Sequence, residues 1–172
     1  MPSSREAAFD RRTWSPVWAG YAACAWMLVF AAMSFYWALG GTAGLQTVSL
    51  GQERAGESWF TLVLWLTGLL KVIGGLLALA LVRPWGQRVP RMLLLTAAWG
   101  VSALLLLHGV DFVIQGALTK TGVISVPTLT AWTAVHWQTF VWGPWFVLGG
   151  IAFCVASWNY QRRASTWRAE TT

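Results

Sequence analysis

Four apolar stretches, at roughly 16–39, 58–82, 91–118 and 130–160, decide what this chain can fold into. Each exceeds the ~20 residues that a helix needs to cross the hydrocarbon core of a bilayer. Punctuation separates them: Gly40-Gly41 ends the first, Pro84 and Pro90 bracket the second gap, and Gly122 with Pro127 occupies the third. Strands of this length would leave unsatisfied edges in lipid, so the runs are expected as helices. Only 10% of the 172 residues are charged, against about 25% in a soluble domain. The sequence therefore predicts one integral membrane domain over residues 1–172, an all-α four-helix transmembrane bundle. Arg11 and Arg12 precede the first stretch as in a signal peptide, but that stretch is too long and no small-x-small site follows, so an uncleaved first span is expected.

The distribution of Lys and Arg sets the expected orientation. Arg5, Arg11 and Arg12 lie in the N-terminal tail, Arg83, Arg88 and Arg91 in the second gap, and Arg162, Arg163 and Arg168 in the C-terminal tail; only Arg54 and Lys120 lie on the other side. Both termini are thus expected in the cytoplasm, and the net charge of +6 is assigned to topology and contact with anionic lipid. No nucleic-acid partner is expected, because no folded basic face exists outside the membrane. Membrane lipids are expected partners, and an oligomer is left open. The outer segments 40–57 and 119–130 carry Leu45, Val48, Leu50, Val123, Ile124, Val126 and Leu129. Loops this apolar could form a lid over the bundle or rest in the headgroup layer.

An ionisable group inside a span is costly unless paired or hydrated, which makes each one a functional candidate. Lys71 lies in the second span, framed by Gly68, Gly74 and Gly75, small residues that permit close packing and turn the lysine inward. The third span carries His108, Asp111 and Gln115 on one face at i, i+3 and i+7, and His136 opens the fourth. Asp111 is the one carboxylate within a predicted span. A dry pocket would keep it protonated, able to donate a proton, whereas a cation such as Lys71 would ionise it. Lys71 is about 10 Å deeper, so a water or His108 would have to bridge them.

Tryptophan is abundant, at 14 residues. Interfacial belts account for many, including Trp14, Trp18, Trp85, Trp158 and Trp167 on the inner side and Trp37, Trp59, Trp132 and Trp137 on the outer. Trp26, Trp65, Trp99, Trp142 and Trp145 lie deeper. Rings around a dry cavity can stabilise a carbocation, and Tyr36, Trp37, Trp65, His136, Trp142 and Trp145 are candidates to face one, although such a stripe also serves plain packing. Pro144, after Gly143, should kink the fourth span and open a cavity. His136 with Phe140, and Gln138 with Trp142, form two adjacent polar–aromatic faces, either of which could complete a pocket with Asp111.

Cys24 and Cys154 are far apart and form no Cys-x-x-Cys motif, and neither a serine nucleophile motif nor a phosphate-cradling glycine loop occurs. A bis-histidine haem prefers ligands at similar depth, and the difference of about 6 Å between His108 and His136 is awkward for one without prohibiting it. A metal on His108, Asp111 and His136 would need a third ligand whose position the spacing leaves open. No metal or other cofactor is expected.

The segment AGYAACAWMLVFAAMSFYWALGGTAGL, residues 19–45, resembles the opening of a bacterial four-span family of unknown function, in which a small-residue-rich helix runs into an aromatic pair and Ala-Leu-Gly-Gly. Here the pair is Tyr36-Trp37, and the resemblance implies a histidine at the position held by Ser34. The chain is also similar to the integral-membrane terpene cyclases of bacterial indole-sesquiterpene and drimane-type pathways. That similarity implies protonation of a prenyl alkene or epoxide, ring closure and proton loss, with no cofactor. On this expectation a lipid-soluble prenylated substrate meets Asp111 as acid and His108 as its orienting partner. Tyr36, Trp37, Trp65, Lys71, Gln115, His136, Trp142 and Trp145 would line the substrate site. The alternatives are a non-enzymatic lipid-binding or accessory subunit, whose polar cluster fixes helix packing, and a proton-coupled carrier.

Overall fold

The computed structural model describes residues 17–48, 54, 56–125 and 129–169. The expectations for Arg5, Arg11, Arg12, Trp14, Leu50, Val126 and Pro127 lie outside these residues, as do the side chains of Leu129, Arg163, Trp167 and Arg168. Helix α1 runs over Val17–Ala38, α2 over Ser58–Ala80, α3 over Arg91–Lys120, α4 over Leu129–Trp137 and α5 over Gly143–Ala169. A five-residue π-helical turn, Gln138–Trp142, joins α4 to α5, so that Trp132–Arg162 forms one continuous span. Short 3-10 turns occupy Leu45–Thr47 and Pro84–Arg88. Four helices are long and apolar enough to cross a membrane, and among the described residues there is no strand. The predicted four-helix, all-α architecture is what forms, with span ends within a few residues of those expected except where the fourth continues beyond 160.

The helices associate as two hairpin-like pairs. α2 packs along α1 and α3 along α5; α1 and α5 join the pairs, while α2 and α3 scarcely meet. Side-chain size explains where they part. At the arginine-rich end the core is Ala19, Ala80, Leu81, Leu94, Ala98 and Ala156, small enough to draw all four spans together. The middle layer adds Met27, Leu105 and Phe153. At the opposite end it becomes Phe30, Trp37, Leu45, Phe60 and Trp142. Large rings need more room between helices than alanines do, so the bundle widens towards the end opposite the arginines.

Glycine sets the close contacts between paired helices. A Cβ on Gly109 of α3 would stand 2.7 Å from the Gly143 carbonyl oxygen and 2.8 Å from the Val147 side chain of α5. Gly68 and Gly74 likewise admit Phe35 and Met27 of α1, the close packing expected around Lys71. Between α3 and α5, Ser102 Oγ donates to the Gly150 carbonyl at 2.8 Å.

Pro144 reshapes the turn before it. It has no amide hydrogen, and its ring would strike the carbonyl four residues back in a regular α-helix. The chain widens by one residue just before it, with the Gly143 amide bonding the Gln138 carbonyl five residues earlier. The widened turn lets the helix continue through the proline and turns the Gln138–Trp142 face inward.

The loop after α1 is tied down. Gly40, at φ +93°, and Gly41 close the helix by donating to the carbonyls of Trp37 and Tyr36, the hydrogen-bond pattern of a Schellman cap. Trp37 Nε1 donates to the Ala43 carbonyl at 2.8 Å, and Trp142 Nε1 donates to Thr47 Oγ1 at 3.1 Å. Leu45 and Thr47 are buried. Residues 40–48 thus cover the end of the bundle opposite the arginines, whereas Val123 and Ile124 of the other loop at that end are exposed.

Candidate functional site

The widening of the bundle leaves a cavity of about 350 Å³, at the lower end of the ~300–1,000 Å³ typical of small-molecule sites. α1 supplies Phe30, Ser34 and Trp37, α2 supplies Leu64, Thr67 and Lys71, and α3 supplies Leu104, His108 and Phe112. Gln138 and Trp142 from the π-helical turn, Phe146 from α5 and Val48 from the docked loop complete the wall. α2 and α3, which contribute Leu64, Thr67, Leu104 and His108 to the wall, make few direct contacts with one another.

The aromatic wall is a connected set. Phe30 packs edge-on against Phe146 at 5.2 Å between ring centroids and stacks on Trp142 at 6.0 Å. Trp142 meets Trp37 edge-on at 6.3 Å, and Phe112 meets Phe146 at 5.8 Å. His108 closes the set on α3, 4.5 Å from Phe112 and 4.7 Å from Phe146.

Lys71 marks the deep end. It lies 13 residues into α2 from Ser58, about 20 Å along the helix axis. Its Nζ donates to Ser34 Oγ at 2.6 Å and stands 3.6 Å from the centre of the Phe30 ring. Both partners are neutral, and the ion pair of Arg54 with Glu57 lies in the loop that precedes α2. An ammonium held this way retains donor capacity towards the empty space, because it has three N–H groups and one hydroxyl acceptor.

Of the expected site residues, Trp37, Lys71, His108 and Trp142 come together around this cavity. The others do not. Asp111 is exposed and accepts a hydrogen bond from Gln115 Nε2 at 2.6 Å; neither it nor Gln115 lines the cavity. Facing explains the difference: His108 and Phe112 line the cavity, and Asp111, one residue before Phe112, is carried about 100° round α3 to an exposed side. The expectation of a buried, unpaired acid is therefore corrected, as is its bridged pairing with Lys71.

Tyr36 is 47% exposed and covers Gly41. Trp65 faces away from the cavity against Phe35, at 5.3 Å. His136 packs on Phe140, whose ring also receives Lys120 Nζ at 4.0 Å, on the outside of the bundle. Trp145 stacks on Trp26 at 5.4 Å outside the lining, and both indole nitrogens are buried without a partner. With His108 on the cavity wall, Asp111 on Gln115 and His136 on Phe140, the three groups weighed as a metal triad do not converge. Among the described residues no group of three or more His, Cys, Asp or Glu side chains is placed to hold a metal.

Phe30, Thr67, Phe112 and Phe146 escape a sequence reading because each is an ordinary residue in an apolar run. Ser34 carried one signal, the one serine within the apolar run of α1, and the Gln138–Trp142 face carried another.

Among known proteins, no curated protein and no solved structure matches the chain, and nothing links it to terpene cyclases. Residues 27–153 match the model of a family described as "Protein of unknown function (DUF3995)". That stretch spans α1 from its middle to α5, including every residue of the cavity wall, and the chain belongs to the DUF3995 family.

Proposed function

We propose that this protein is a membrane-embedded binding protein for a lipid-soluble, chain-like molecule of isoprenoid type, which enters sideways between α2 and α3. The observation that carries the proposal is the 350 Å³ cavity, walled largely by aromatic and aliphatic side chains and flanked by two helices that scarcely meet. A transmembrane bundle with no ligand to hold gains contact energy by closing such a void. Here Trp37 and Trp142 are pinned by hydrogen bonds to the docked loop, which keeps both indoles from turning to fill the space.

Native mass spectrometry of the purified protein tests this. The expected result is a one-to-one adduct with farnesol that disappears in Thr67→Trp, which fills the space from α2. An adduct of unchanged occupancy in that variant would refute it.

Isoprenoid cyclisation remains a second reading, favoured by the five rings on one wall, which suit a cationic intermediate. Its proton donor has to come from that wall. His108 or Lys71 takes the role instead of Asp111, which lies outside. Incubation with a prenylated indole epoxide would then give a cyclic product with Asp111→Asn but none with His108→Phe and Lys71→Met combined. Absence of product from the native protein would leave binding as the activity.

A further inference from the structure

We infer that the cavity selects a ligand with a compact anionic head, carboxylate or phosphate monoester, seated against Lys71 at the deep end with its chain running outward along the aromatic wall. This rests on the binding function proposed above and specifies its ligand.

The inference comes from what surrounds the ammonium. Lys71 is half-buried near the middle of its span, and a charge there is retained only where something compensates it. Its two contacts are a hydroxyl and a ring face, Ser34 Oγ at 2.6 Å and Phe30 at 3.6 Å. Ser34 is itself 1% exposed, and its oxygen lies 3.5 Å from the Phe30 carbonyl. Neither contact carries negative charge, and among the described residues no carboxylate lines the cavity. Thr67, one turn from Lys71 on α2, turns its hydroxyl to the Leu64 carbonyl at 3.1 Å. The remaining polar groups on the wall, His108 and Gln138, are not acids. The ammonium therefore faces an apolar space with donors to spare and no counter-charge. An anionic oxygen in that space forms a charge-assisted hydrogen bond in a low-dielectric setting, the strongest kind available there. A neutral alcohol or hydrocarbon leaves the charge uncompensated. Size narrows the class further: 350 Å³ accommodates one chain and a small head, not a two-chain phospholipid.

The test compares dodecanoate, dodecyl phosphate and dodecanol, which share a chain and differ in head. Binding is measured in zwitterionic nanodiscs for the native protein, Lys71→Met and Lys71→Gln, with thermal unfolding to establish that each variant folds. The native protein is expected to bind at least one of the two anions about tenfold or more tighter than either variant does, a difference of one charge-assisted bond. Dodecanol should bind all three alike. Whichever anion shows the loss identifies the head, carboxylate or phosphate. Saturable binding of all three compounds with no change in either variant would overturn the charge selection while leaving the cavity's function intact. No saturable binding of any of them would overturn both.

Discussion

At the scale of single residues, two ionisable groups exchange the importance that their types suggest. An acid inside a span draws attention as a proton donor, yet Asp111 is exposed and held by its neighbour Gln115. Asp111→Asn should therefore leave ligand binding unchanged and alter stability by less than about 0.5 kcal/mol, as read from thermal unfolding in detergent. A loss of binding would place the carboxylate back in the site. Lys71 behaves differently. Its charge has neutral partners only, so Lys71→Met should leave the empty protein as stable as before, or more so, while removing the preference for anions. The hydrogen bond from Trp142 to Thr47 joins two buried side chains. Thr47→Val strands the indole N–H and should cost about 1–3 kcal/mol, detectable as a lower melting temperature. An unchanged one would mean that the loop does not brace the cavity.

At the scale of elements, helix pairing depends on glycines that look alike in the sequence. Gly109 and Gly100 both lie inside α3, nine residues apart. A Cβ on Gly109 would press on the Gly143 carbonyl and Val147, whereas nothing lies within 4 Å of one on Gly100. Gly109→Ala should destabilise the protein by about 1–3 kcal/mol through overpacking. Gly100→Ala should stabilise it by roughly 0.5–1 kcal/mol, because alanine is the better helix former. Equal responses from the two variants would contradict the packing of α3 on α5. Helix existence and extent were legible in the sequence because hydrophobic length and Gly/Pro punctuation are local properties. The π-helical turn before Pro144 was legible only as a kink. Its widening is the backbone's answer to a missing donor, and which face it turns inward depends on α1 and α3.

At the scale of the whole molecule, the gradient from alanine at one end to tryptophan at the other makes the bundle open outward, and the site follows from that shape. Four spans put both ends of the chain on one side, and the arginines predict that side to be cytoplasmic. A cysteine introduced at Val123 should react with an impermeant maleimide on intact cells, and one at Arg88 should not; the opposite pattern would invert the topology. The candidate site was half legible. Lys71 and His108 are anomalies in any apolar run, and Trp37 and Trp142 belong to a conspicuous excess. Facing misled for Asp111, since its place within an apolar stretch does not reveal which side of α3 the neighbouring helices cover. Facing misled for Trp65 as well, which follows the lining residue Leu64 directly and precedes Thr67 by two residues, yet points to Phe35. The most direct measurement is photolabelling with a diazirine analogue of farnesol, mapped by peptide sequencing. A molecule held between α2 and α3 should label Leu64, Thr67, Leu104 and Phe112, and excess farnesol should abolish the labelling. Label on the outward-facing Leu62, Leu66, Leu69 and Ile73, without competition, would mean that the cavity takes in nothing and the molecule meets lipid only from outside.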